Sequence, residues 1–444
     1  MDWLKIDVPH RGALKGVLAL ALVLAVGPLA AAQQSFEDQI ANLKSPTMKT
    51  RQAAVRALGE SRRQEAVAPL SALVRDPEPK VRLEVVLALT SLRDLSGVPA
   101  LITSLQDGDP KVREQAISGL VEIYAEQQRT GAVARFLQTF SDEFKEPFVP
   151  PYTMVDPAVF QGLVGTLRDE ETRLRAESAQ AIGILGGTTV TDHLVTALQD
   201  PESAVRGAAV TALAKIGDAE DGRALIPLLA DESSQVRNRT IEALGVMQVT
   251  DAGPALRELY EQNERRALAT RSLAAMARTS DPNQADLYRQ LLMSGDLERR
   301  RMAVEGLARV SDPSLIDGFK KDFQRERNDD VRLAYNFAIT LLGDRAFLDS
   351  IVLALPVSGG RGARAKGYIE ELGPSIAVNL YPYLSDQDPK VRAALCDVLA
   401  ELGDPAAVEW LTPLVGDPSS DVVDRANRAI QRLRRVSGNA ALGQ

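Results

Sequence analysis

The chain has 444 residues, 5% aromatic and 25% charged, with a formal net charge of −8. That length exceeds the roughly 250–300 residues at which a single compact core stops growing. The acidic balance argues against a nucleic-acid track, and one cysteine with two histidines is too little material for a disulfide framework or a metal centre.

Residues 1–32 belong to a different regime from the rest. Lys5, Arg11 and Lys15 form a basic start, Gly16 to Val26 is almost wholly apolar, Gly27-Pro28 interrupts the run, and Ala30-Ala31-Ala32 precedes Gln33. This is the layout of a cleaved secretory signal peptide, so the protein is expected to be exported, periplasmic or secreted. The alternative, an uncleaved anchor, is disfavoured because the run falls short of the ~20 residues of a spanning helix and Pro28 breaks it. Export usually favours disulfides, yet the only cysteine, Cys396, sits within an apolar helical pattern and reads as a core residue. Stability must then come from packing.

A short capping helix is expected over 33–44, and beyond it one string keeps returning. Asp76-Pro-Glu-Pro-Lys-Val81-Arg82 recurs from Asp107 to Arg113, from Asp200 to Arg206 and from Asp231 to Arg237, at steps of 31 residues or a multiple of it. A fixed period of this size marks a solenoid, in which each unit buries its apolar face only by stacking on its neighbours. Within a unit, Val81, Val85, Val86, Leu89 and Leu92 have the spacing of one helical stripe. A turn such as Gly217-Asp218 or Gly403-Asp404-Pro405 then ends the first helix and opens a second. The predicted architecture is all-α, a superhelix of about a dozen helix pairs. Repeats are expected over 45–143 and 169–436, an irregular partial unit over 144–168, and a disordered tail over 437–444.

The string running from Asp200-Pro201 through Val205-Arg206, Ala209, Ala212-Leu213 and Ile216-Gly217-Asp218 resembles the HEAT-repeat family, in particular the bacterial HEAT-like repeats named after phycobilisome lyases. A looser copy runs from Asp386 through Val391-Arg392 to Asp404. The resemblance implies an α-solenoid whose extended concave face, expected to be lined by the second helices, binds a protein or peptide. A periplasmic rather than fully secreted location also rests on it. It transfers no lyase activity, because the matching residues are scaffold. The two-iron sites of HEAT-repeat hydroxylases, built from His-Glu pairs, have no counterpart here. Because Arg82, Arg113, Arg175, Arg206, Arg237, Arg332 and Arg392 keep one place in the repeat, they are assigned to the fold, each pairing with carboxylates or carbonyls nearby, while the repeated Asp caps a helix start.

The repeat breaks between Arg113 and Arg175. Phe136, Phe140, Phe144, Phe148 and Phe160 fall in or just after the Pro-rich stretch there. One reading packs Phe136, Phe140 and Phe144 into the gap left by a missing helix; the sharper one makes the break a partner-binding ledge. Phe144, Phe148 and Tyr152 are the partner-binding candidates. A second irregularity, Ser358 to Gly367, has glycines and three basic residues suited to a phosphate cradle, but it matches no nucleotide fingerprint and is read as a flexible turn. His193 is expected on a helix face, and Asp329-Asp330 and Asp386-x-Asp388 at helix starts. The clusters Arg265-Arg266, Glu298-Arg299-Arg300-Arg301 and Arg434-Arg435 read as solvated faces or local ion pairs.

The sequence thus supports a non-enzymatic, exported scaffold for a protein or peptide partner, with no cofactor, no metal, no nucleic acid and no stable membrane insertion. The alternative is a lyase-type enzyme or enzyme subunit with its site in the groove near 136–160.

Overall fold

The computed structural model describes residues 35–126, 154–263 and 267–442. The break at 136–152 therefore lies outside the described residues, and so do Phe144, Phe148, Tyr152 and Arg265-Arg266. Every regular element among the described residues is helical, and the architecture is an all-α solenoid. Contacts divide the chain into two units, one ending at Ile123 and one beginning at Tyr124.

In the first unit a helix over 35–42 precedes the repeats and buries Phe36, whose ring carries the Arg63 guanidinium 3.7 Å above its centre. The helices Met48–Glu60 and Pro79–Leu92 follow, with Pro110–Glu126 beginning the next repeat. Pro79 starts its helix at a position whose missing N–H costs nothing. Arg51 donates to both oxygens of Asp76, at 2.7 and 2.9 Å, and Arg82 to both oxygens of Asp107, at 2.6 and 2.7 Å.

The second unit repeats the design. Its long helices are Thr172–Leu185, Ser203–Ile216, Ser234–Val246, Ala267–Met276, Leu297–Arg309, Asp329–Leu341, Gly360–Glu371, Pro389–Leu402 and Ser420–Leu442. Successive long helices approach backbone to backbone: a Cβ on Gly183 would lie 2.7 Å from the Cα of Ala212, so only glycine fits there. The second elements are short. Pro227 and Pro413 lack the N–H that an α-helix would use, and the chain turns there into the 3-10 segments Ile226–Ala230 and Thr412–Gly416. After the break, Asp156 accepts a hydrogen bond from the Ala158 N–H and opens the helix Pro157–Thr166.

The ladder continues from Arg175 to Asp200, Arg206 to Asp231 and Arg392 to Asp417, always 25 residues on and always two-pronged. The third prong of each arginine donates to the carbonyl six residues before it. Arg300 makes the same contacts with Glu326 and the Ser294 carbonyl. The aspartates are not helix N-caps: Asp200 accepts from the Glu202 N–H two residues on, in a turn just ahead of the helix, and its main task is to hold the preceding unit's arginine.

Three further expectations change. The helix Ser420–Leu442 continues past 436, so the tail is helical backbone through Leu442. The Ser358–Gly367 segment is not a flexible turn: only Gly359, at φ +84°, turns, and a helix runs from Gly360 to Glu371. Gly403 takes the left-handed helix end at φ +72°, but Gly217 is extended, and Arg93 takes that position without being glycine.

Cys396 is fully buried in the Pro389–Leu402 helix, where burial pushes its thiol up to about 12. No helix among the described residues is long and apolar enough to cross a membrane.

Candidate functional site

The most chemically loaded place in the second unit is a cavity of about 360 Å3 on the side of the long helices. Its charged walls come from Arg278, just beyond the Ala267–Met276 helix, from Arg301, Glu305 and Arg309 on Leu297–Arg309, and from Arg364, Glu370 and Glu371 on Gly360–Glu371. Gly245 and Gln248, at the end of the Ser234–Val246 helix, close one side. Arg278, the Arg301–Arg309 pair and Arg364 come from three different repeats, and the stacking of their helices brings them to one cavity. The residues that line it come from the long helices and their C-terminal ends.

Glu305 anchors the wall. It is 7% exposed, lies 2.5 Å from the Nη1 of Arg301 and 3.8 Å from that of Arg309, and accepts a hydrogen bond from the Tyr368 hydroxyl. Burial disfavours its charge, yet Arg301 and Arg309 outweigh that and hold its carboxyl below the ordinary range. Arg309 spans further, donating to both oxygens of Glu371 at 2.7 and 2.9 Å and to the Ala277 carbonyl at 2.9 Å. Tyr368 stacks on Phe337 with ring centres 4.2 Å apart, which fixes its hydroxyl toward Glu305. Burial lowers the readiness of Arg278 to hold its proton, and the nearby positive charge of Arg309 lowers it further.

Arg364 is held more loosely. Its nearest charged partner is Asp330, at 3.8 Å, and its Nε is shielded from solvent with no hydrogen-bond acceptor. Next to it, Lys366 lies 2.6 Å from Glu401 and 3.6 Å from Glu370. Burial, then the neighbouring Glu401 carboxyl, push Glu370 up to about 8, so it carries a proton at neutral pH. Four arginines thus face three glutamates, one of them neutral, in a chain whose overall charge is negative. The arrangement can receive an anionic group by two-pronged hydrogen bonds at low dielectric.

Of the earlier candidates, His193 is half-buried on the helix Thr191–Ala197. Asp329 and Asp330 start a helix and pair with Arg361, and Asp388 N-caps the next but one. Among the described residues no three His, Cys, Asp or Glu side chains converge as metal ligands. The reading of Glu298 to Arg301 as solvated faces or local ion pairs holds for the pairing of Arg301 with Glu298, but it does not reveal the pocket that Arg301 also lines. The available signal was that Arg278 and Arg309 stand one period apart.

Family profiles for HEAT repeats match residues 37–121, 70–143, 157–245, 191–274 and 377–442, together more than half the chain. No curated protein matches the sequence. Among solved structures, an engineered protein is 18% identical, covering 90% of this chain and 98% of its own, with a TM-score of 0.35. The CpcE–CpcF complex of phycocyanin lyase from Nostoc is 22% identical over 55% of this chain and 94% of that one, at 0.29. Importin beta is 13% identical over 96% and 68%, at 0.42. On the strength of the repeat profiles, the chain belongs to the HEAT-repeat family.

Proposed function

We propose that the protein is an exported, non-enzymatic scaffold that binds a protein partner along the inner face of its long helices, anchored at the arginine-lined pocket. The observation that carries this reading is the convergence of Arg278, Arg301, Arg309 and Arg364 on one cavity. The ladder arginines hold repeats together, whereas Arg364 stands at this opening with an Nε–H that no acceptor meets. Export rests on the layout of residues 1–32. N-terminal sequencing of the protein recovered from the exported fraction tests it: Gln33 as first residue supports export with cleavage, and an intact Met1 in the cytoplasm rejects it.

Binding is tested by placing a photo-cross-linking residue at Gln248, exposed on the pocket rim, or at Trp410, exposed on a second helix. Adducts from Gln248 and none from Trp410 support the reading; the reverse pattern rejects it. A second reading, an enzyme acting in this pocket, is favoured by Glu370, whose carboxyl near 8 matches what a general base requires. Turnover of a small anionic substrate that Glu370→Gln abolishes would select it.

A further inference from the structure

We propose that the pocket takes one oxyanionic group, a carboxylate or a phosphate, at Arg364, with Arg278, Arg301 and Arg309 held in place as a fixed cationic wall. This deepens the scaffold reading and rests on the same pocket.

The division of labour follows from the bonds already made. Arg301 is tied to Glu298 and Glu305, and Arg309 to Glu371 and the Ala277 carbonyl, so both are fixed and contribute field rather than free donors. Arg364 has a buried Nε–H with nothing to receive it and only a distant carboxylate on its other side. A buried donor left unmade is costly, so an acceptor entering the cavity is stabilised there more than in water.

An independent observation concerns space. Gly367 lies within the Gly360–Glu371 helix, where glycine is unfavourable relative to alanine, yet a Cβ added to it meets no atom within 4 Å. Crowding explains Gly362, whose Cβ would lie 2.2 Å from the Val357 carbonyl, but it does not explain Gly367. Since Gly367 lines the cavity, what its missing side chain leaves open is the pocket itself. A volume of about 360 Å3 suits a small acid or one acidic terminus of a chain, not a folded domain.

The experiment is calorimetric titration of the protein lacking residues 1–32 with inorganic phosphate, with succinate, and with a short peptide ending in two glutamates, at constant ionic strength. The comparison variants are Arg364→Gln, Gly367→Leu and, as a charge-matched control on an exposed site, Arg289→Gln. The proposal expects saturable one-to-one binding of at least one probe, weakened tenfold or more by Arg364→Gln and by Gly367→Leu and unchanged by Arg289→Gln. Gly367→Leu keeps every charge and improves helix propensity, so its loss of binding is not a loss of fold. Binding of phosphate or succinate but not of the peptide supports an oxyanion site while removing the protein-partner reading. Peptide binding unaffected by either pocket variant overturns this proposal and leaves a partner surface elsewhere. No saturable binding of any probe overturns it outright.

Discussion

Arg309 and Glu371 stand 62 residues apart and are joined by two hydrogen bonds of 2.7 and 2.9 Å, reaching past the whole Asp329–Leu341 helix between them. Glu305 with Tyr368 repeats the relationship 63 residues apart. These pairings tie helices two repeats apart to each other and set the charge of the pocket.

Removing one partner from such a network leaves a buried charge uncompensated. Arg309→Ala is expected to destabilise the protein by about 3–5 kcal/mol, read from the midpoint of urea unfolding, because Glu371 loses its main counter-charge and Glu305 the weaker of its two. Tyr368→Phe removes one hydrogen bond and keeps the stacking on Phe337, so it should cost about 1–2 kcal/mol.

The repeat ladder makes a graded prediction. Arg206 and Asp231 are each under 10% exposed, and Arg206 also donates to the carbonyls of Asp200 and Pro201. Arg206→Ala should cost about 2–4 kcal/mol. Arg223→Ala, in an ion pair with Asp251 that is more than half exposed on both sides, should cost less than about 1 kcal/mol.

Stability should fall in acid and also as the pH rises from about 4.5 toward 8, for different reasons. The Arg206 and Arg392 hydrogen bonds hold Asp231 and Asp417 below the ordinary carboxylate value, so their contribution is present above that value and is lost as the pH falls through their lowered range. Glu370 acts in the opposite sense. Its folded value of about 8 lies above its unfolded one, so the folded state holds an extra proton between them, and stability falls as pH rises from about 4.5 to 8. Glu370→Gln should flatten thermal stability across that window, and a slope equal to that of the parent protein would contradict the assignment.

Cys396 supplies a probe of the second unit's packing. With its thiol buried and held up to about 12, it should react with a thiol reagent at pH 8 at least a hundredfold more slowly in the folded protein than in urea.

The scaffold was legible in the sequence because each ladder residue obeys a local rule. Val205 and Arg206 recur in step with Val236 and Arg237, and helical spacing around them names the buried face. The role of Asp200 was only half legible: its turn is local, but its arginine lies 25 residues earlier. The pocket was legible only in one fragment. Arg278 and Arg309 share an Ala-Arg-x-Ser-Asp-Pro string one period apart, but Arg301 and Arg364 stand outside it, and what joins the four is the stacking of separate repeats, which no single unit encodes. The aromatic candidates Phe144, Phe148 and Tyr152 lie outside the described residues and so play no part in this account.

The central claim is that the open space beside Gly367 and the donors of Arg364 receive part of a binding partner. The most direct measurement compares the yield of partner adduct from a photo-cross-linker at Gln248 in the parent protein and in Gly367→Leu, both purified from the exported fraction and matched in helicity. The account predicts that filling the pocket removes most of the adduct; an undiminished yield with the same partner would contradict it.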